Sequence, residues 1–207
     1  MAAEPDAGSA ATDMVTAAAP DPEVEGGMIL NGQKRWCSGA GHSDMIVFCK
    51  MDPEAKGARG LGAVYVKKDA PGVSFGPAET LMGFRGVPSA DIYFETVKIA
   101  PEDVLLPAGN FNKMMQAFCL ERLGNATLAL ANAQAARDQV VAYTQERKQF
   151  GKPLIDFQAV QLRLAEMEMK TTAARLLIHA AAARAVLFQP SSFPCSSVFS
   201  RQNVANG

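Results

Sequence analysis

The chain has 207 residues, of which 48% are hydrophobic and 7% aromatic, and its 20 basic and 21 acidic side chains leave a net charge of −1. Proteins that neutralise a nucleic acid backbone usually show a basic excess, so nucleic acid is not expected as a partner. No apolar run approaches the ~20 residues of a membrane-spanning helix, and the N-terminus lacks the basic and apolar regions of a secretory signal.

The cysteines predict reduced thiols rather than disulfides or a metal site. None of the four forms a C-x-x-C pair, and the chain has only two histidines to complete a zinc site. We therefore expect no bound metal and a cytoplasmic location, where thiols stay reduced.

Residues 1–108 are predicted to form a β domain. Apolar or alternating segments at Asp44–Lys50, Leu61–Lys67 and Asp91–Val97 are separated by turns that contain Gly and Pro. The Asn31-Gly32 pair predicts a β-hairpin, because both turn positions favour positive φ. This many short strands are typical of a barrel or a sandwich.

A helical pattern follows from about Asn112 to Arg147. Its apolar residues fall on two sides of the helix, which predicts burial between other elements. After Gly151-Lys152-Pro153 a second helix is predicted from about Phe157 to Ala185. Its apolar stripe consists of Leu162, Ala165, Met169 and Leu176.

The predicted fold class is therefore α+β, a β-barrel domain over residues 1–108 followed by a long antiparallel helical hairpin over residues 109–186. Residues 187–207 are rich in Ser and Pro and lack periodicity, so this tail is predicted to be disordered.

Five sequence strings occur in order along the chain. They are EPDAGS from Glu4, LNGQKRWCSG from Leu30, LMGFRG from Leu81, ERKQFGKPL from Glu146 and FQAVQ from Phe157. Each alone is weak, but together they resemble the signature of the acyl-CoA dehydrogenase family over roughly Glu4 to Ala185.

This resemblance implies a partial acyl-CoA dehydrogenase fold with FAD as cofactor. In the family, an N-terminal helical domain, a middle β-barrel and a C-terminal four-helix domain enclose FAD in dimers or tetramers. Against that pattern, the N-terminal domain and two of the C-terminal helices are expected to be missing here.

The resemblance also assigns residues of the β domain to the ligands. Gly8 would let the backbone approach the flavin, and Ser9 would bind the thioester substrate. Trp36, Cys37 and Ser38 would face the isoalloxazine ring, with Ser38 in place of a usual Thr as hydrogen-bond donor. The alternatives are an ordinary polar loop and a core Trp.

Glu121 is the predicted catalytic base. It is the only acidic residue between Val104 and Arg137, and its spacing places it on an apolar stripe where burial would raise its pKa. A similar L-E-R string contains the base in the isovaleryl-CoA and long-chain-type enzymes. Arg122 would then lie near the substrate. Two alternatives stay open, that Glu121 pairs with Arg122 or reaches solvent, and that it only neighbours a base elsewhere.

Arg147 and Gln158 match positions that reach the FAD of a neighbouring subunit, which implies a homo-oligomer. A guanidinium presents a planar fork of donors that suits a pyrophosphate. The alternative is a charged helix end, where the macrodipole alone favours a cation.

The predicted function is α,β-dehydrogenation of an acyl-CoA thioester to a 2,3-enoyl-CoA, with electrons passed to an electron-transfer flavoprotein. The alternative is a non-catalytic, truncated remnant that binds a CoA ester or a full-length homologue. It is favoured by the missing N-terminal domain and by Ala3, where the family commonly has a Thr that bonds the flavin.

Overall fold

The computed structural model describes residues 1–187, which divide into two compact units, Met1–Met115 and the residues from Gln116 onward. The tail predicted to be disordered lies outside the described residues, except for Leu187, which ends the second helix. The predicted domain boundaries, after residues 108 and 186, stay predictions.

Among the described residues, the chain forms nine strands and two long helices. They are β1 (Ala17–Pro20), β2 (Met28–Ser38), β3 (Met45–Lys50), β4 (Leu61–Val66), β5 (Val73–Phe75), β6 (Ser89–Ile99), β7 (Val104–Leu106), α1 (Phe111–Glu146), β8 (Lys148–Gln149), β9 (Lys152–Pro153) and α2 (Gln158–Leu187).

The first unit is built on one seven-stranded sheet in the order β5-β6-β2-β1-β3-β4-β7. Its pairings are antiparallel except for a single parallel pair between β1 and β3. The inward side chains form an aliphatic core that includes Leu30, Val47, Val64, Ile92 and Phe94. Branched and aromatic side chains suit such a pleated, buried face, which explains why these segments form strands.

The predicted α+β class is confirmed, as are the three predicted strand segments and both predicted helices. The segment at Asp91–Val97 extends at both ends into the longer strand β6. Both helices begin and end within two residues of their predicted bounds.

The predicted hairpin at Asn31-Gly32 is wrong, because β2 runs through both residues without turning. The register between β2 and β6 instead shifts between Leu30 and Gly32, which marks a β-bulge. Gly32 has a φ of +141°, and a Cβ there would lie 2.6 Å from the Cα of Thr16. The extra residue of that bulge lies on β6, so the glycine serves the close backbone approach, not a turn.

The helical hairpin packs along one seam. On α1 the seam includes the buried Leu130 and Thr144, and on α2 it includes the buried Thr171. Arg137 on α1 bonds Glu168 on α2 at 2.7 Å. Buried or half-buried positions recur at intervals of three and four residues on both helices, as in other antiparallel helix pairs.

The predicted burial of both helices is wrong for this chain. Leu162, Ala165, Met169 and Leu176, the stripe predicted on α2, are all exposed, and Leu128 on α1 is exposed as well. A pair of helices has one mutual seam, so the remaining apolar positions of each face outward. Within residues 1–187, neither helix is both long enough and apolar enough to span a bilayer.

Candidate functional site

The end of β2 presents Trp36 to solvent. The register between β2 and β6 shifts a second time between Lys34 and Cys37, and Trp36 has a φ of +52°. A bulge of this kind re-aims a side chain, and the left-handed conformation is costly for an aromatic residue. The result is an indole that keeps 63% of its surface exposed. Such strain is concentrated at functional sites, so Trp36 is a strong candidate for ligand contact.

The side chains around Trp36 fall on opposite faces of the strand. Ser38 is exposed like Trp36, whereas Cys37 between them is buried in the core. Burial also raises the pKa of the Cys37 thiol. The expectation that the Cys37 side chain faces the cofactor is therefore wrong, because the strand alternation after the bulge turns it inward.

Arg35 holds the indole from one side. Its guanidinium carbon lies 5.4 Å from the centre of the Trp36 ring, a cation–π arrangement. Asp91 on β6 lies 3.3 Å from Arg35 Nε and accepts a hydrogen bond from Gln33 Nε2. The charge pair therefore restrains the side chain that packs on Trp36.

A loop of residues 4–16 lies beside this strand end and contains Gly8 and Ser9, both exposed. The backbone N–H of Arg35, next to Trp36, donates to the carbonyl of Ala3 at the base of the loop. Nothing lies within 4 Å of the position that a Cβ on Gly8 would take. The loop therefore leaves open space next to its polar residues.

The base of the loop is closed by a buried ion pair that the sequence analysis missed. Lys34 Nζ lies 2.6 Å from Glu4 Oε1, with the two side chains 0% and 1% exposed. The Glu4 carboxylate also accepts the backbone N–H groups of Val15 and Thr16. One signal of this burial was present in the sequence. Leu30 and Lys34 lie four residues apart in one strand, and side chains at even spacing point to the same face. Both side chains are buried.

The pair shapes the ionisation of both its members. Burial raises the pKa of Glu4, but the hydrogen bonds from Lys34, Thr16 and Val15 outweigh it and hold that pKa below its usual value. Burial lowers the pKa of Lys34, and the contact with Glu4 opposes that change only in part.

In the second unit, the structure corrects the predicted burial of Glu121. This residue and Arg122 are both exposed on α1. The carbon of the Arg122 guanidinium lies 5.9 Å from the centre of the Phe118 ring, a cation–π arrangement. Glu121 lies off the seam that α1 shares with α2. The apolar stripe on which the sequence places it is therefore not the buried side of α1.

A groove of about 380 Å³ runs between the two helices near Arg122. Cys119, Arg122, Leu123 and Ala126 line it from α1, and Leu177, Ile178, Ala181 and Ala185 line it from α2. Glu121 is not among the lining residues. The arginine predicted to bind substrate thus borders an apolar groove, whereas the predicted base does not.

Arg147 and Gln158 lie on either side of the short β8–β9 hairpin, and both are exposed. The carbonyl of Arg147 accepts the N–H of Leu154, which fixes the chain between the two helices. At the hairpin turn Phe150 and Gly151 both have positive φ, and Phe150 is 91% exposed. Positive φ at both positions is the geometry of a type I′ turn, and it projects Phe150 outward.

Phe150 is a second candidate that the sequence analysis did not single out, although it lies inside the ERKQFGKPL string. Its ring contacts Phe157 edge-on, with centroids 6.3 Å apart, and Lys152 Nζ lies 4.4 Å from the centre of the Phe157 ring. An exposed aromatic ring whose aromatic neighbour carries a lysine could pack on a flat, anionic ligand.

Comparisons with known proteins agree with the two-part organisation. Residues 1–97 match the family model described as acyl-CoA dehydrogenase, middle domain, and residues 111–197 match acyl-CoA dehydrogenase, C-terminal domain. A solved structure of butyryl-CoA dehydrogenase from Megasphaera elsdenii is 33% identical with a TM-score of 0.84, over 91% of this chain and 49% of that one. The fold is therefore that of a flavoprotein oxidoreductase.

Curated relatives give the same result. A 3-(aryl)acrylate reductase from Clostridium sporogenes is 43% identical over 86% of this chain and 47% of its own length. A probable acyl-CoA dehydrogenase, FadE25 of Mycobacterium tuberculosis, is 39% identical over 90% and 48%. The chain belongs to the acyl-CoA dehydrogenase family, and it spans about half the length of the curated relatives it matches.

Proposed function

We propose that this chain provides the flavin- and thioester-binding parts of an acyl-CoA dehydrogenase, which forms a double bond between the α- and β-carbons of an acyl-CoA. The observation that carries the proposal is the exposed, backbone-strained Trp36 at the strand end beside the Gly8–Ser9 loop. FAD, when bound, accepts the hydride that leaves the β-carbon.

The residues of the first unit fit a flavin ring. Trp36 offers a large flat surface, the exposed Ser38 offers a hydroxyl donor, and the open space at Gly8 admits close approach. Ser9, on the same loop, is the proposed contact to the thioester. Cys37 has no side-chain role in this proposal, because its sulfur lies in the core.

In the second unit, Glu121 is the proposed base that takes the α-proton, with Arg122 as its neighbour on the substrate side. The exposure of Glu121 keeps the carboxylate accessible, so the bound acyl chain would have to exclude water from it. Arg147 and Gln158 are the proposed contacts to the FAD of a neighbouring copy in a homo-oligomer, and Phe150 is an additional candidate there.

The electron acceptor is proposed to be an electron-transfer flavoprotein, and the location is proposed to be the cytoplasm. The reverse reaction, reduction of an α,β-unsaturated thioester, also needs testing, because one relative is named a 3-(aryl)acrylate reductase. Reduction of a conjugated double bond uses the same two carbons with proton and hydride moving in reverse. Assays with a saturated and with an α,β-unsaturated thioester distinguish the two directions.

Flavin binding is tested by titrating the purified chain with FAD and following the emission of Trp36, the only tryptophan. We expect quenching, a yellow protein after filtration, and bleaching by an acyl-CoA. Trp36→Ala should weaken FAD binding about tenfold, since aromatic packing contributes about 0.5–1.5 kcal/mol. This variant is followed by flavin absorbance. Tyr93→Ala, at an exposed aromatic of the same unit that lies outside the five strings, is the control and should bind normally.

The base is tested with Glu121→Gln. We expect FAD binding to be retained and turnover to fall by about 10²–10⁴-fold, because general base catalysis contributes that much. Asp138→Asn, at an exposed acid of α1 outside the five strings, controls for loss of charge and should remain active. Full activity of Glu121→Gln would remove Glu121 from the mechanism.

The second candidate is a non-catalytic remnant that binds a CoA ester or a full-length homologue. One observation favours it: both helices expose apolar residues. A colourless protein that takes up no FAD, yet binds an acyl-CoA or associates with a full-length relative, would support this candidate and refute the first.

A further inference from the structure

The loop of residues 4–16 is closed at its base by one carboxylate. Glu4 Oε2 accepts the N–H of Val15 at 2.6 Å, and Glu4 Oε1 accepts the N–H of Thr16 at 3.1 Å. Backbone bonds between Glu4 and Ala7 form a turn at the start of the same loop. Both ends of the segment that contains Gly8 and Ser9 are thus joined through a single side chain, as in a compact Ω-loop.

Lys34 connects this closure to the strand of Trp36. Its ammonium donates to Glu4 Oε1 at 2.6 Å and to the carbonyl of Ala2 at 3.1 Å, and it lies 3.9 Å from the sulfur of Met14. Lys34 is fully buried and lies two residues before Trp36. It therefore contacts both ends of the loop as well as belonging to the strand that presents the indole.

Stability alone does not account for a lysine at this position. Taking an ammonium and a carboxylate out of water is costly, and a well-packed apolar pair of similar volume is often equally stable or more stable. Hydrogen bonds are directional and an apolar contact is not. They fix the Glu4 carboxylate relative to two backbone N–H groups, of Val15 and Thr16, and fix the Lys34 ammonium relative to the carbonyl of Ala2. The arrangement specifies where the loop lies relative to the strand end.

We propose that Lys34 is a positioning residue of the flavin site: through the Glu4 carboxylate, it holds the loop of Gly8 and Ser9 at a fixed place beside the strand end that presents Trp36. This inference rests on the proposed function for its ligand. Lys34 itself touches no reacting atom, because its ammonium is enclosed by the loop base.

The test compares three substitutions with the wild-type chain. Lys34→Met removes the ammonium, and Lys34→Met with Glu4→Gln removes both charges. Glu4→Asp keeps both charges but withdraws the carboxylate by one methylene. Lys98→Met is the matched control, because Lys98 and Glu23 form another 2.6 Å lysine–glutamate pair in the same unit, exposed by 61% and 71%.

Two readouts are needed. Amide hydrogen exchange of Val15 and Thr16, measured without flavin, reports whether the loop base is closed. The dissociation constant for FAD, from Trp36 quenching, reports whether closure matters for the ligand. We expect at least tenfold faster exchange and at least tenfold weaker binding in Lys34→Met and in the double variant. Glu4→Asp should show smaller changes of the same sign, and Lys98→Met none.

The double variant separates positioning from stability. Its neutral pair is expected to restore the thermal midpoint lost in Lys34→Met while exchange stays fast and FAD binding stays weak. If Lys34→Met does not fold, the double variant and Glu4→Asp decide the question by the same criteria. Wild-type exchange at Val15 and Thr16 in folded variants overturns the inference, whether or not FAD binds.

A wild-type chain that binds no FAD has a different meaning. It refutes the proposed function and removes the ligand from this inference, while the exchange data still decide whether Lys34 holds the loop. Normal FAD affinity in a folded variant with a released loop would also overturn the inference, because loop placement would then be irrelevant to the ligand.

Discussion

The two units of this chain handle apolar side chains differently. In the first unit, the inward face of the sheet buries a contiguous aliphatic core. In the second, α1 and α2 share one seam and leave large apolar residues such as Leu162 and Leu176 exposed by 65% and 63%. The sheet unit thus encloses a hydrophobic core, whereas each helix of the hairpin buries only the side that faces the other helix.

This difference separates what each unit can do by itself. A closed core fixes side chains in place, so the candidate ligand-contact residues of the first unit are already positioned by their surroundings. An open helix pair keeps its partner residues in contact but leaves its outward faces without fixed neighbours in the described chain. The substitutions below test how far the contrast extends, beginning with the largest expected effect.

Truncation of the two apolar surfaces should give opposite results. Ile92→Ala in the sheet core removes a fully buried side chain and should lower the free energy of unfolding by about 2–5 kcal/mol. Leu176→Ala on α2 should change it by less than about 0.5 kcal/mol, because that side chain is already exposed. Urea unfolding, followed by Trp36 emission and by circular dichroism, measures both. Equal losses would show that the outward face of α2 is covered in solution.

The reactivity of the cysteine thiols should also differ between the two units. Burial raises the pKa of Cys49 to about 12 and also raises that of Cys37, whereas Cys119 on α1 is exposed. In a Cys195→Ser background, a maleimide should modify Cys119 at least about 100-fold faster than either sheet cysteine, because the latter react only after opening. Peptide mass spectrometry follows each site. Comparable rates would mean that the sheet opens as readily as the hairpin.

Acid should destabilise the first unit through Glu4. Its folded pKa lies below its usual value of 4.5, so the unfolded chain binds more protons between the two values. The stabilisation is therefore complete above the unfolded pKa and is lost as the pH falls through the folded one. Urea midpoints between about pH 3 and 6 should fall less steeply in Glu4→Gln than in wild type. A parallel pH profile in the variant would contradict this assignment.

The smallest expected effect concerns the hairpin seam. Glu168→Gln weakens the contact to Arg137 on the other helix, whereas Glu166→Gln alters pairs with Arg163 and Lys170 within α2 only. The first should lower the thermal midpoint of the helical signal slightly, and the second should lower it less. A larger shift for Glu166→Gln would show that contacts within α2 outweigh the contact between helices.

Much of the architecture could be predicted from local patterns. Alternation in Asp44–Lys50 and Leu61–Lys67 predicted β3 and β4, and helical periodicity gave the two long helices nearly to the residue. The family resemblance required only ordered strings. These features depend only on residues that are close together in the sequence, so they can be recognised without the structure.

What could not be predicted depends on contacts between distant residues. Asn31-Gly32 has the composition of a turn, and only the passage of Thr16 over Gly32 shows why a glycine is required within the strand. Lys34 and Glu4 are 30 residues apart, and nothing local pairs them. Glu121 lies on a sequence stripe that predicts burial, but which side of α1 is covered depends on where α2 packs.

For the candidate site, the assignment of segments to the ligands stays a prediction, and the orientation of individual side chains could not be predicted. Trp36 and Ser38 face solvent as expected for ligand contacts, whereas Cys37 does not, because the bulge before it resets the alternation. The positive φ of Trp36 could not be predicted from the sequence, because aromatic residues normally avoid that conformation.

The close approach at Gly32 has a consequence for how this molecule tolerates sequence change. A methyl group at position 32 would clash with Thr16, at the end of the loop that passes β2, because atoms of Thr16 already fill that space. One of the atoms that fill this space is the backbone Cα of Thr16, which every residue type at position 16 would also have. No substitution at position 16 therefore makes room for a side chain at position 32, and evolutionary change at position 32 should be confined to glycine.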